Sequence, residues 1–217
     1  TKAVLETNVF FMDYNNQLVL TGEINDVGAP IMTNIKDSYR RGIELIMGIF
    51  PINRIRWDLN LTLSQNKIRN YISYVDNWDF WSDPANEPYQ VVSELGETHL
   101  SFSPSLVGGS NITYEPFIGM RISLLSKYVG KQFIDNTSSD RRMLDPYFVN
   151  NLQLQYTLHP KFMEEIGINL MLNNFLNEKY ETNAWIYRYY TGGTEYKMDG
   201  YFPQAGIHFM AGLTFMF

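Results

Sequence analysis

Three histidines, His99, His159 and His208, are the first candidates for metal or acid–base chemistry in this chain. No two of them stand at i, i+2 or i, i+4, the spacings at which one strand or one helix offers two imidazoles to a metal. Cysteine is absent, which removes thiolate sites, thiol nucleophiles and disulfides. The oxygen-rich run Asp135-Asn136-Thr137-Ser138-Ser139-Asp140 lacks the glycine and the closing glutamate of a calcium loop, and reads as a solvated loop. Gly192-Gly193-Thr194 has no following lysine and is not a phosphate cradle. No serine elbow or carboxylate pair stands out. The expectation is therefore no catalytic residue, no metal, no cofactor and no enzyme.

Two groups of side chains remain. Long polar stretches carry Trp78, Phe80 and Trp81, then Trp185, Tyr187, Tyr189 and Tyr190. Aromatic faces stack on sugars and chelate rings, so these seven are candidate ligand contacts; the same rings would also pack loop on loop. The second group is Glu6, Arg40, Glu44, Arg56, Asp58, Arg121 and Lys127, charges set into otherwise apolar segments. They are expected to face an interior, lining a path or touching a plug, or else to satisfy one another and interior water. A net charge of −6 with no basic cluster argues against nucleic acid.

The elements that carry these residues are strands. Ile55, Trp57, Leu59, Leu61 and Leu63 fall on one side of an extended chain, with Arg56, Asp58, Asn60, Thr62 and Ser64 on the other. The final residues repeat this: Phe209, Ala211, Leu213, Phe215 and Phe217 face one way, and His208, Met210, Gly212, Thr214 and Met216 the other. Similar alternation runs through 3–12, 33–50, 100–114, 120–128, 148–158 and 166–172, giving about eight strands. The longest apolar run, Leu45 to Phe50, is far short of the roughly 20 residues of a spanning helix. Short turns at 51–54, 115–118 and 159–164 alternate with long loops at 13–31, 73–97, 133–145 and 177–203. Phe50, Trp57, Tyr114, Phe117, Tyr156, Phe162 and Phe217 gather at the short-turn edge as an aromatic belt. The expected fold is all-β, an antiparallel transmembrane barrel segment with short periplasmic turns and long extracellular loops. A soluble sandwich with its polar face in water is the competing arrangement.

Several segments resemble a known family. The terminal run ending on Phe217 is similar to the assembly signal of Gram-negative outer-membrane barrels. Asn8-Val9-Phe10-Phe11-Met12-Asp13-Tyr14, Tyr39-Arg40-Arg41-Gly42-Ile43-Glu44, Tyr114-Glu115-Pro116-Phe117 with Tyr128-Val129-Gly130-Lys131-Gln132-Phe133, and Leu172-Asn173-Asn174-Phe175-Leu176-Asn177-Glu178-Lys179-Tyr180 resemble, in order and spacing, the C-terminal barrel of TonB-dependent receptors. That resemblance implies a 22-stranded barrel in the outer membrane, plugged by its own N-terminal domain and worked by the TonB energy-transducing protein. It implies uptake of a large, scarce nutrient of the iron-siderophore, cobalamin or glycan class. Membrane lipid, the barrel-assembly machinery acting on the last strand, and in the glycan branch a surface lipoprotein are the partners it implies. Thr1 opens directly into an alternating segment, so residues 1–217 are expected to be the C-terminal part of the barrel, with plug and earlier strands outside this chain. The alternatives are a complete small eight-stranded barrel acting as anchor or adhesin, an outer-membrane enzyme, and a soluble carbohydrate-binding sandwich.

Overall fold

The computed structural model describes residues 2–217. Its strands are β1 (Lys2–Ile24), β2 (Pro30–Ile52), β3 (Ile55–Asn77), β4 (Gln90–His99), β5 (Leu106–Tyr114), β6 (Met120–Val129), β7 (Gln132–Phe133), β8 (Met143–Leu144), β9 (Tyr147–Leu158), β10 (Glu165–Asn173), β11 (Glu181–Thr191), β12 (Thr194–Pro203) and β13 (His208–Met216). Eleven of them form one sheet, whose main path runs β1-β2-β3-β5-β6-β9-β10-β13. Along this path every neighbour is antiparallel. The sheet is open, with β1 and β13 at its two ends.

Register turns the alternation into two faces. Val9, Ile43, Leu63 and Leu106 lie in one cross-strand row, and Leu5, Met47, Leu59 and Ser110 in another. Arg56, Thr113, Ser123 and Gln153 form a row on the opposite face. No second layer covers the apolar face among the described residues: Leu5, Val9 and Leu213 are 69%, 73% and 64% exposed. A soluble sandwich would bury those residues against a facing sheet. The short turns are where sequence places them. Arg54, at a positive φ, closes the reversal between β2 and β3.

The long connections differ from expectation. β1, β2 and β3 are each 23 residues, about twice the ~9–11 that cross a bilayer. Residues 13–31 are mostly ladder, and the hairpin reverses only at Asn25–Ala29. There the Asn25 side chain accepts from the amides of Val27 and Ala29 at 3.1 and 2.9 Å. Residues 73–97 hold the end of β3, a single 3-10 turn at Trp78–Trp81, and β4. Residues 177–203 are largely the β11–β12 hairpin. Beyond the hydrocarbon both faces of a strand meet water or other loops, so the strict alternation that marks a spanning strand is no longer required. The strand expected over 100–114 starts only at Leu106. Pro104 has no amide for the ladder and Phe102 sits at φ 48°, so β4 and β5 are separate pieces along β3.

The packed core lies in this outer lobe. Val19, Ile35, Ile68 and Leu100 form one cluster, backed by Tyr71. Ile134, Leu144, Ala184 and Ile186 form a second with Phe102. Val129, Tyr147 and Val149 form a third with Tyr180. Val149 is paired directly with Lys127, so this third cluster grows from the polar face of the sheet.

Candidate functional site in the outer lobe

The lobe is built around the point where two long hairpins part. β2 and β3 stop pairing at Ser38 and Ile68, yet both continue outward. β11 enters this fork and bonds the β3 edge in parallel, Tyr189 opposite Asp76 and Tyr190 opposite Asn77. Its hairpin is closed by Gly192 and Gly193, both at positive φ, which is the backbone a two-residue turn requires. Asn77 caps the 3-10 turn by accepting from the Asp79 amide at 3.2 Å. Asp79 in turn accepts from the Thr191 hydroxyl at 3.0 Å and the Gly192 amide at 2.7 Å, so one carboxylate holds the tip of the neighbouring hairpin.

The candidate aromatic residues fall into separate groups. Trp78 stacks on Tyr189 at 3.9 Å, and Tyr189 on Tyr196 at 5.7 Å. The Trp78 indole donates to the Tyr187 hydroxyl (3.2 Å), which donates to Asp76 (3.1 Å). Phe80 and Trp81 meet each other and Tyr89 edge to face, with Trp81 mostly exposed. Trp185 lies against Gly200, and the Tyr190 hydroxyl reaches Glu195 at 3.4 Å. Trp78, Tyr187 and Tyr189 thus join two hairpins. Burial pushes the Tyr187 and Tyr190 hydroxyls up from the usual phenol range, with Asp76 and Glu195 respectively adding to it.

The opposite side of β11 carries charges that sequence reasoning missed. Arg188 and Arg142 converge on Asp135, at 3.5 and 2.9 Å, and on Glu195, at 3.5 and 3.2 Å. Arg188 also donates to the Ser73 hydroxyl at 2.8 Å and Arg142 to Thr137 at 2.7 Å. Asp135 and Asn136 are 2% and 0% exposed, so the run 135–140 is no solvated loop at its start. Asn136 accepts from the Ser101 amide and donates to the Leu20 carbonyl, both at 2.8 Å, stitching this segment to β1. Glu23 sits nearby, its carboxyl raised by burial and by Asp76 and Asp135 against the pull of Arg188. One sign was available: Ala184, Ile186 and Arg188 share a strand face, which places a guanidinium in line with buried apolar residues.

A crevice of about 490 Å³ opens at the fork, walled by Glu23, Lys36, Arg69, Tyr71, Tyr74 and Arg188. None of the seven candidate aromatics lines it. The seven candidate charges lie lower, together on the polar face by register. Arg56 pairs with Asp58 at 2.7 Å and Arg121 with Glu115 at 3.0 Å. Arg40 donates to Asn66 (3.3 Å), and Glu44 accepts from Asn8 (3.0 Å). Glu6 and Lys127 make no ion pair among the described residues. His208 is on this face opposite Asn173, and no three acidic or histidine side chains gather as a metal site among the described residues. Phe209, Ala211, Leu213 and Phe215 lie on the apolar face of β13, which among the described residues pairs with β10 alone, and Phe217 follows it.

A family model described as TonB dependent receptor-like, beta-barrel matches residues 2–175. The chain belongs to this family. TonB-dependent receptors are transporters of the Gram-negative outer membrane, not enzymes, and the uncovered apolar face is therefore the one that meets hydrocarbon. Solved structures agree on the fold. The siderophore receptor PiuA from Acinetobacter baumannii superposes with a TM-score of 0.65 at 14% identity, over 99% of this chain and 26% of its own. The ferric-catecholate import receptor Fiu from E. coli K12 gives 0.61 at 13%, over 99% and 25%. The copper transporter OprC gives 0.64 at 16%, over 100% and 30%. The chain thus spans only about a quarter to a third of the length of these structures. No curated protein matches it.

Within a TonB-dependent receptor barrel, the Asn-rich stretch after β10 has a physical role. Asn174, 2% exposed and at φ 47°, accepts from the Glu178 amide and donates to the carbonyls of Glu178 and Ala205. Asn177 accepts from the Ile207 amide at 3.1 Å. Two asparagines thereby carry the chain from β10 past the last hairpin into β13.

Proposed function

We propose that this chain is the C-terminal part of the barrel of a TonB-dependent receptor that imports a large, scarce nutrient of the iron-siderophore, cobalamin or glycan class. The observation that carries the reading is the open sheet: among the described residues its two end strands lack a partner on their outer sides, and it overlays whole on part of larger receptors. Such edges are completed by further strands of the same barrel, since unpaired backbone inside hydrocarbon costs several kcal/mol per group. In this reading the seven charges on the polar face line the lumen or meet a plug domain, and TonB pulls on that plug. The barrel-assembly machinery reads β13 through Phe217, and a surface lipoprotein would cap the lobe only in the glycan case. The lobe aromatics, Trp81 above all, touch the incoming ligand.

The test is uptake by the intact receptor with residues 181–203 replaced by a short turn. Loss of uptake of one nutrient class, with surface expression kept, supports the reading and names the class. Unchanged uptake of all three removes the β11–β12 hairpin from ligand recognition. A complete eight-stranded barrel acting as anchor or adhesin is the second reading, but it requires β1 to pair with β13, and they lie at opposite ends of the sheet.

A further inference from the structure

Beyond the point where β2 and β3 stop pairing, each strand keeps a ladder partner on one side only. Among the described residues, 30–36 of β2 pair with β1 alone and 70–75 of β3 with β4 alone. The two edges that face each other across the fork are therefore free. The crevice of about 490 Å³ lies between them, with residues 31–36 on one bank and 68–72 on the other. Arg69, bound to Asp13 and Asp37 at 2.9 and 2.7 Å, closes its lower end. At the upper end β11 bonds Asp76 and Asn77. Asp76 is paired with Gln90 of β4 on its other side, so β11 has taken the edge that β2 left. That edge already accepts one added strand, and the slot continues it inward.

The charges along the slot differ in how they are matched. Arg69 is spent as above, and Arg188 on Asp135, Glu195 and the Ser73 hydroxyl. Lys36 is exposed at the rim. Asp76 accepts from Gln90 at 3.0 Å and from Tyr187 at 3.1 Å. Glu23 stands apart: among the described residues its carboxylate makes no ion pair and no hydrogen bond, and only its backbone amide is engaged, donating to Thr21. A partly buried carboxylate without a partner costs stability, and a cation brought beside it removes that cost. Water satisfies a free strand edge that stands alone. It does not account for a lone carboxylate bordering a slot between two such edges, with a strand already added at its mouth.

We propose that this slot docks an extended peptide segment of a partner protein that carries a basic side chain. The segment's backbone bonds the β3 edge below β11, and its lysine or arginine reaches Glu23. Ser73 and Val75 are buried while Ile72 and Tyr74 stay exposed, so alternate side chains of the added strand lie beside Ile72 and Tyr74 on the outer face. Main-chain hydrogen bonds supply affinity in such strand addition, and the alternating side chains supply selectivity. This docking is separate from nutrient transport and goes beyond it.

The intact receptor in detergent is titrated with acetyl-Thr-Val-Lys-Val-Thr-amide, with its glutamine analogue, with the lysine peptide N-methylated at every residue, and with lysine amide. The lysine peptide should bind. The glutamine analogue should bind roughly fivefold more weakly, the size of a partly exposed ion pair, and the N-methylated peptide at least about tenfold more weakly, having lost its ladder. Glu23→Gln should bind the lysine and glutamine peptides equally, whereas Lys127→Gln should keep the preference for lysine. Hydrogen exchange in residues 70–75 should slow on binding, and that of β6 and β9 should not change. No binding of the lysine peptide, the result if another segment of the receptor fills the slot, overturns the proposal. Equal binding of the N-methylated peptide or of lysine amide would make this a bare cation pocket and overturns it too, as does a Glu23→Gln receptor that still prefers lysine. These titrations require no transport, so failure here and failure of the transport reading are separable.

Discussion

The Trp78 indole lies 3.9 Å from the Tyr189 ring, 15° from parallel, although 111 residues separate them in the chain. That stack, with the Asp79 carboxylate beside it, couples the β3–β4 hairpin to the β11–β12 hairpin and so ties the first half of the lobe to the last.

Removing the carboxylate should free the hairpin tip. Asp79→Ala deletes the acceptor of the Thr191 hydroxyl and the Gly192 amide, a loss of about 1–3 kcal/mol in local stability for charged hydrogen bonds. Hydrogen exchange on residues 185–198 of the intact receptor should quicken there, while β5, β6 and β9 keep their protection. Trp78→Ala should act in the same direction by about 0.5–1.5 kcal/mol, the size of an aromatic pair.

Face assignment is tested at two adjacent positions. Leu61 lies in a row with Leu45 and Gly108 on the hydrocarbon side, whereas Thr62 faces Glu44 and Val107. Leu61→Asp should cost about 1–4 kcal/mol of barrel stability. Thr62→Lys should be tolerated, because it brings a cation opposite a carboxylate; an acid there would face Glu44 and repel it. Denaturant unfolding in detergent reads both, and the reverse ranking would invert the two faces.

Glu23 predicts a pH effect. Its carboxyl is raised from the ordinary value of 4.5, first by burial, then by Asp76 and Asp135. The folded lobe therefore holds that proton more tightly than the unfolded chain does. The stabilisation is complete below the ordinary glutamate range and is lost as pH rises through the raised value. Glu23→Gln should be at least as stable as the parent at neutral pH, and the difference between them should shrink on acidification. A difference that grows toward acid would contradict the burial.

Asn174→Ala should impair the closing strand. It leaves the Glu178 amide and the Glu178 and Ala205 carbonyls without their side-chain partner, at about 1–3 kcal/mol. Urea unfolding and the yield of assembled barrel should both fall, whereas Asn173→Ala on the polar face of β10 should change neither.

The spanning part of the sheet was legible because hydrocarbon imposes a rule on every residue it touches. Leu59, Leu61 and Leu63 against Asp58, Asn60 and Thr62 admit one register parity, and β3 and β2 pair in it. The terminal run from Phe209 to Phe215 falls on the apolar face for the same reason. The outer lobe is less legible in the sequence. Asp13-Tyr14-Asn15-Asn16 has the composition of a turn, yet it continues the ladder, Asp13 opposite Tyr39 and anchored by Arg69. Asp135 looked solvated because nothing local announces that Arg142 and Arg188 will close over it.

The amino-acid order by itself determined which strands cross the membrane, which side of each meets lipid, and the family to which those strands belong. The strands and their faces follow from period-two alternation, and the family from the resemblance of the motifs in their order and spacing. Only the tertiary structure decided that Trp78 and Tyr189 would stack, that Asp135 would be buried between two arginines, and that Arg41 would be held by Gln65. Those outcomes depend on where β2 parts from β3 and on what enters the gap, a matter of long-range chain geometry that no local periodicity encodes.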